Sequence, residues 1–227
     1  MGRYCVVIPA FDAAGSIGEL VRRVKLQGLE VVVIDDGSRD HTASIASAQG
    51  ALVISHLCNQ GKGQALRTGF EYVLRSRYDG VITLDSDGQH DPQEIPQLIR
   101  AGEVQHAGLV LGNRMTNGAA MPRLRRLTNG LMSDIISSVA RQRIPDSQCG
   151  FRFIRREVLE SVPLRAMRFE IETELVLGAA LRRWKIVSVP VRSIYRDHHS
   201  HIRPVREGLR FIGVVLRYLM WRGAANR

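Results

Sequence analysis

The first half of the chain alternates short apolar runs with segments of helical period. Residues 4–8, 30–34, 52–55, 81–84 and 109–111 are runs rich in Val, Ile and Leu, and most end at polar residues or glycine. They are too short for helices, and runs of this kind are what strands covered on both faces require. Between them, residues 18–27, 40–48, 63–76 and 92–105 read as helices. Ser38 and Asp40 stand as caps for the second of these, and Asp91-Pro92 pairs an N-cap with proline at the first helical position. Strand–helix alternation at this pitch predicts an α/β fold with a mostly parallel central sheet flanked by helices.

The second half is less regular. Residues 123–139 read as a helix with Leu124, Leu127, Leu131 and Ile135 at three- and four-residue spacing. Residues 145–151 form a polar turn, 169–182 another helix and 186–191 a strand. No linker, repeat or low-complexity segment intervenes. The expectation is one catalytic domain over residues 1–205, with halves 1–113 and 114–205, followed by a C-terminal amphipathic helix over 206–227.

Composition changes this picture in one respect. The chain has 227 residues, 44% hydrophobic and 24% charged, which suits an ordinary globular protein and excludes global disorder. Its net charge of +10 conceals an asymmetry: residues 1–113 hold 10 Lys/Arg against 13 Asp/Glu, and residues 114–227 hold 22 against 9. The basic half, nearly all arginine, implies an anionic partner such as nucleic acid, a phosphorylated substrate or an acidic membrane surface. A general preference for Arg over Lys contributes to the same count. Cys5, Cys58 and Cys149 form no CxxC pair, which argues against a disulfide framework or structural zinc and fits a reducing compartment. Neither a signal-peptide pattern nor the roughly 20 apolar residues of a spanning helix is present, so a cytoplasmic location is expected.

Ligands on parallel sheets bind beyond the C-terminal ends of the strands. The residues there are Pro9-Ala10-Phe11-Asp12, Asp35-Asp36-Gly37-Ser38 and Asp85-Ser86-Asp87-Gly88-Gln89, three acidic or turn-forming loops at one edge. Asp85 and Asp87 flank a turn at i and i+2, so both carboxylates can face one hard cation, Mg²⁺ or Mn²⁺. Gln89 offers a third oxygen, and His90 a nitrogen if the ion is Mn²⁺. Taken alone, the same D-x-D pattern also caps turns. A carboxylate in the Asp35-Asp36 loop can accept from a base or ribose, while Gly37 turns the chain and Ser38 or Asp40 caps the next helix. Gly61-Lys62-Gly63 reads either as a phosphate-binding turn or as a helix start with an exposed Lys. The absence of GxGxxG and GxxxxGK[ST] removes most support for dinucleotide cofactors and P-loop chemistry.

Together these motifs resemble family 2 glycosyltransferases: Val7–Phe11, Val32–Asp40, Asn59–Gly63 and Leu84–Pro92 occur in that family's order and spacing. Asp146–Arg152, Arg168–Glu170 and Ser200–Ile202 narrow the likeness to dolichyl- and polyprenyl-phosphate sugar synthases. The resemblance runs over roughly residues 4–205 and implies the GT-A fold. It also implies inverting transfer of a sugar from a GDP- or UDP-sugar to a polyprenyl phosphate. It assigns Pro9, Ala10, Asp12, Asp36 and Lys62 to the nucleotide, and Asp85, Asp87 and Gln89 to the divalent cation. Arg114 and Arg125 would act on the acceptor phosphate. Asn129, which stands where the family has a serine, would join them, as would Ser200 and His201. Mannose synthases carry an Arg near the last loop and a Lys after the Ser, where this chain has Tyr195 and His201, so the likeness does not extend to the sugar.

A phosphate monoester is largely ionised at neutral pH and needs no strong base, whereas a hydroxyl acceptor would. Glu170, Glu172, Glu174 and Asp146 are the candidates for that base, and the glutamates read otherwise as helix-surface charge. A basic nucleic-acid-binding module lacks any matching motif, and no nucleic-acid partner is expected. A non-enzymatic nucleotide-binding module would not need both metal carboxylates. Arg206, Arg210 and Arg217 fall within a ~40° arc of the C-terminal helix at ~100° per residue, with Phe211, Tyr218 and Trp221 on the apolar remainder. That helix reads as interfacial on an anionic membrane, as core, or as an oligomer contact.

Overall fold

A computed structural model describes residues 2–116, 121–194 and 204–225, the side chains of 204–207, 209 and 221–225 excepted. The elements run β1 (Tyr4–Ala10), α1 (Ala14–Lys25), β2 (Glu30–Asp35), α2 (Thr42–Ala48), β3 (Leu52–Ser55), α3 (Lys62–Arg75) and β4 (Gly80–Thr83). A 3₁₀ turn (Pro92–Glu94) leads into α4 (Ile95–Val104), β5 (Leu109–Asn113), α5 (Arg123–Ala140), β6 (Arg152–Arg155) and α6 (Arg156–Ser161). The chain continues through α7 (Ile171–Leu181) and β7 (Ile186–Pro190) to α8 (Pro204–Ala225).

The strands form one seven-stranded sheet in the order β3-β2-β1-β4-β6-β5-β7. It is parallel except at β6, which runs antiparallel to both β4 and β5. Strand residues alternate between two buried faces. Val6, Ile8 and Ala10 of β1 meet α1, α2 and α4 on one side. Cys5 and Val7 meet α3, with α5 to α8 completing the layer on the other side. Both faces are covered, which is why the strands read as unbroken apolar runs.

Register aligns the strand ends. Ala10 pairs with Asp35 and Val7 with Thr83, so the loops after β1, β2 and β4 emerge together. Asp91 caps the 3₁₀ turn as expected, accepting from the Gln93 N–H at 3.0 Å. Of the two expected caps, Asp40 keeps its place by accepting from Thr42 N at the first residue of α2, and Ser38 is redirected. Ser38 Oγ accepts from Asp12 N at 3.0 Å, and Asp40 accepts from both Ala14 N and Thr42 N. These bonds tie the first two loops together, and α1 accordingly begins at Ala14, four residues before the predicted start.

Strand β6 and helix α6 have no counterpart in the hydrophobic pattern. Residues 152–155 are Arg-Phe-Ile-Arg, a strand with a guanidinium at each end. Arg152 is nonetheless buried, because its guanidinium donates to the carbonyls of Cys149, Ser147 and Glu172 at 2.7–2.8 Å. Arg156 likewise donates to the carbonyls of Val73, Leu74, Ser76 and Tyr78, satisfying the end of α3.

Helix α5 spans nearly the predicted residues but faces the other way from a core helix. Leu124, Leu127 and Leu131 are 75%, 72% and 63% exposed, while Asn129 and Ser133 point inward. The inward face meets the polar turn, where Ser133 Oγ accepts from Ser147 N at 2.9 Å and Ser137 Oγ from Ile144 N at 3.0 Å. Helix α8 buries one part of its surface, as the core reading expected, and leaves another exposed. Phe211, Val214 and Val215 join the core, and Ile212, Leu216, Leu219 and Met220 are exposed. Among the described residues no helix is long and apolar enough to cross a membrane.

Phe153→Ala, at a fully buried site on β6 packed edge-on against Tyr4, should lower unfolding free energy by about 3–5 kcal/mol. Leu127→Ala, on the exposed stripe, should stay within about 0.5 kcal/mol of the parent. Urea denaturation followed by circular dichroism measures both.

Candidate active site

The site is built on the aligned strand ends. The loop after β1 is fixed at Asp12, which adopts φ 49° while its carboxylate accepts from Arg39 N at 2.8 Å. Pro9 and Ala10 lie inside β1 and are buried, so the exposed part of this loop begins at Phe11 and Asp12. Asp36 is also buried. Its carboxylate accepts from Gln60 N at 3.0 Å and Gly61 N at 2.7 Å, and lies 2.8 Å from His56 Nδ1. Asp36 therefore anchors the turn that opens α3. Gly61 in that turn takes φ 100°, and a Cβ there would lie 2.7 Å from the Met167 carbonyl oxygen, so only glycine fits.

Lys62 follows as the first residue of α3, where the helix dipole opposes a cation. It is not the exposed lysine of a simple helix start. Its Nζ is 2.6 Å from Asp85 Oδ1 and 2.6 Å from Glu172 Oε1, and lies over the Phe169 ring. Burial disfavours the ammonium, but the charges of Asp85 and Glu172 outweigh it and hold Lys62 above the usual lysine range. Asp85 is pulled down in turn: burial opposes its ionisation, and the attraction of Lys62 and then of His90 overcomes that. Asp87 moves the opposite way, raised first by burial and then by the charge of Asp85.

Two adjacent carboxylates, one ionised and the other strained by its neighbour, fit a divalent cation taking hard oxygen ligands. Among the described residues no three His, Cys, Asp or Glu side chains converge as a metal cage. The chain thus offers a partial set, suited to an ion that keeps water and substrate oxygens. Gln89 adjoins the pair, its N–H donating to Asp87 at 2.9 Å and its carbonyl accepting from Ile194 N at 2.9 Å. His90 Nε2 lies 3.9 Å from Asp85 Oδ2, and burial pushes the ring's pKa down to about 4, so it is neutral at pH 7. Gly150 closes the floor, since a Cβ there would collide with the Asp85 carboxylate.

The two arginines differ. Arg114 is buried, and its Nε and Nη2 form a bidentate pair with Asp146 at 2.8 and 2.9 Å. Arg114 thus makes a forked pairing within the protein, and Asp146 is engaged by it. Arg125 is half-buried on α5, near enough to Asp87 to favour its ionised form, with Asn129 one turn further along. Ser200, His201 and Tyr195 lie outside the described residues, as do the side chains of Arg206 and Trp221.

The glutamates of α7 are not helix-surface charge. Glu172 pairs with Lys62, and Glu174 accepts from Arg165 N and Ala166 N at 2.8 and 2.7 Å. Glu170 keeps one buried oxygen, Oε2, without a hydrogen-bond partner among the described residues. The pairing of Glu172 with Lys62 and Asp85 was not foreseen. A signal for it exists in residues 171–181, which are apolar around the whole helix, so the acidic residues of its first turn must be buried with it.

The sequence model of the family described as Glycosyl transferase family 2 matches residues 5–162. The chain is 28% identical over 216 residues to the UDP-N-acetylglucosamine–dolichyl-phosphate N-acetylglucosaminyltransferase of Methanococcus voltae, covering 85% of this chain and 86% of that one. It is 26% identical over 208 residues to the undecaprenyl-phosphate mannosyltransferase of Micrococcus luteus, covering 86% and 85%. Its fold matches that of glucosyl-3-phosphoglycerate synthase from Mycobacterium tuberculosis, solved with Mn²⁺, uridine diphosphate and phosphoglyceric acid. That match has a TM-score of 0.72 at 23% identity over 97% of this chain and 78% of the other. With the GT-A fold, the strand-end carboxylate pair and a family match over most of its length, the chain belongs to glycosyltransferase family 2 and is a glycosyltransferase.

Proposed function

We propose that this enzyme transfers a sugar from a nucleotide diphosphate sugar, a GDP- or UDP-sugar, to a polyprenyl phosphate at an anionic membrane surface on its cytoplasmic side. The observation that carries the reading is the carboxylate pair Asp85 and Asp87 at the strand end, with Arg125 near enough to Asp87 to favour its ionised form, beside carboxylates that are mostly engaged already. Asp85 and Asp87, with Gln89 beside them, would hold Mg²⁺ or Mn²⁺, which when bound stabilises the charge developing on the leaving nucleoside diphosphate. Asp12 and the Asp36 loop bound the nucleotide side, and Lys62 supplies a positive charge beside the carboxylate pair. Arg125 orients the acceptor phosphate by charge-assisted hydrogen bonds, with Asn129 as a neutral partner. The lipid phosphate is ionised at neutral pH, so attack on the anomeric carbon needs no proton removed by the protein.

A hydroxyl acceptor is the second reading, and one atom favours it. Glu170 Oε2 is the buried oxygen among the candidate bases that lacks a hydrogen-bond partner among the described residues. Glu170→Gln would then abolish transfer to a hydroxyl. With polyprenyl phosphate as acceptor, it should leave turnover within about twofold of the parent.

Membrane contact rests on exposed apolar faces with arginines among them. The leucine stripe of α5 lies beside exposed Arg123 and Arg126, and α8 presents Ile212, Leu216, Leu219 and Met220 beside Arg217. In this reading residues 1–205 form the catalytic unit, and the exposed face of the helix that begins at Pro204 is its interfacial surface.

Thermal-shift screening of UDP-, GDP- and dTDP-sugars with Mn²⁺ identifies the donor, and transfer to a short-chain polyprenyl phosphate tests the acceptor. Product on a hydroxyl lipid but none on the phosphate would overturn the reading. Asp85→Asn and Asp87→Asn should each lower kcat by about a hundredfold or more, measured by product formation at saturating donor. Arg125→Ala should reduce kcat/KM for the lipid phosphate by about ten- to a hundredfold, the worth of a charged hydrogen bond, without weakening donor binding in the thermal shift. Leu127→Asp with Leu131→Asp should weaken co-sedimentation with anionic phosphatidylglycerol vesicles by at least about tenfold while leaving the melting temperature near the parent's.

A further inference from the structure

Lys62 already provides a cation at Asp85. Its ammonium is 2.6 Å from Asp85 Oδ1, bridged to Glu172 at the same distance, and its side chain is largely enclosed. Asp85 is one of the two carboxylates that would bind the divalent ion, and a dication arriving there meets an ammonium in direct contact with its ligand. In water such repulsion is weak, but in a site shielded by protein it is several-fold stronger. The ammonium cannot retreat freely. Its side chain is only 16% exposed, Glu172 holds it from the other side, and the Gly61 turn anchored by Asp36 fixes its backbone. Relief therefore needs additional negative charge in the site. The donor's diphosphate brings it, allowing ammonium and metal ion to be accommodated together.

We propose that Lys62 competes with the divalent cation for Asp85 until a diphosphate enters, so that cation and donor bind as a coupled pair. The inference rests on the reading that Asp85 and Asp87 hold the cation. Its consequence is ordered loading: the cation alone binds weakly, and the diphosphate raises its affinity. By linkage the cation raises the diphosphate's affinity by the same factor. The chain then avoids holding a bare metal ion beside Asp85, and positive charge is completed only when the leaving group that requires it is present. Glu172 serves as the second partner that keeps Lys62 ordered in the resting state.

Mn²⁺ binding to the full chain, read from the loss of the free-ion electron paramagnetic resonance signal, tests this with and without inorganic pyrophosphate as the probe. Lys62→Met should bind Mn²⁺ alone at least about tenfold more tightly than the parent, and the enhancement by pyrophosphate should shrink by at least a similar factor. The single variant leaves Glu172 buried without its main partner and risks misfolding. The double variant Lys62→Met/Glu172→Gln removes both charges and should show the same tightening. Glu172→Gln alone leaves Lys62 with Asp85 as its sole carboxylate partner and should weaken binding of Mn²⁺ alone. Unchanged or weaker binding of Mn²⁺ alone in both the Lys62→Met variant and the double variant would overturn the proposal, leaving Lys62 as a structural bridge between α3 and α7. Asp85→Asn separates the two levels. If it binds Mn²⁺ with pyrophosphate as the parent does, the metal-site reading itself fails. If it loses Mn²⁺ while the Lys62 variants behave like the parent, only the competition fails.

Discussion

The contact on which the site depends is one ammonium held between two carboxylates from distant parts of the chain. Lys62 opens α3, Asp85 ends the run through β4, and Glu172 lies in the first turn of α7. Removing Lys62 would leave two facing carboxylates without their shared cation, and breaking a buried pair from one side costs about 3–5 kcal/mol. The contact therefore does more than stabilise. It fixes the distance between the helix layer formed by α3 and α7 and the sheet edge where the carboxylates emerge. Arg152 reinforces it by donating to the Glu172 carbonyl from the sheet side, so strand β6 and helix α7 share one polar seam.

Around that seam the loops are rigid because their backbone groups are satisfied locally. Asp12, Ser38, Asp40 and Thr42 exchange hydrogen bonds between the first two loops, and Asp36 extends the network to Gly61. Several residues that look like nucleotide ligands by position are thus also the struts of the surface that would receive the nucleotide. The two roles are compatible, since backbone N–H groups held in place by such carboxylates need no reorganisation when a ligand arrives.

What the sequence made legible follows physical rules that act locally. The five early strands and most helices lie within a few residues of their expected bounds, because apolar runs and caps are read over a handful of positions. Asp85 and Asp87 were visible for the same reason, as paired carboxylates at the end of a strand. Strand β6 was not, since Arg152 and Arg155 disguise a four-residue strand whose identity comes from β4 and β5 on either side. The pairing of Arg114 was hidden because its partner, Asp146, lies 32 residues away in a turn whose path depends on α5. The direction that α5 faces was hidden too. Its leucines have helical period, and period alone does not say whether the stripe meets protein or something else.

That last point alters the meaning of the charge asymmetry between the halves. Much of the arginine in the basic half is engaged inside the fold. Arg114 is paired with Asp146, Arg152 and Arg155 donate to carbonyls, and Arg156 satisfies the end of α3. These side chains answer a structural need, the polar turns and helix ends that the second half must bury, and their donors are spent on carbonyls and carboxylates there. The charge that acts outward is the subset on α5, where Arg123 and Arg126 stand beside exposed leucines, joined by Arg217 of α8, which is exposed beside isoleucine, leucine and methionine while also 4.0 Å from the buried Glu174. Exposed arginine next to exposed apolar surface has a different partner from exposed arginine alone. A polyanion such as nucleic acid would leave the leucines in water, whereas a bilayer interface receives both. On the proposed reading, net charge points to an anionic partner, and the apolar residues beside the arginines favour a bilayer interface over a polyanion.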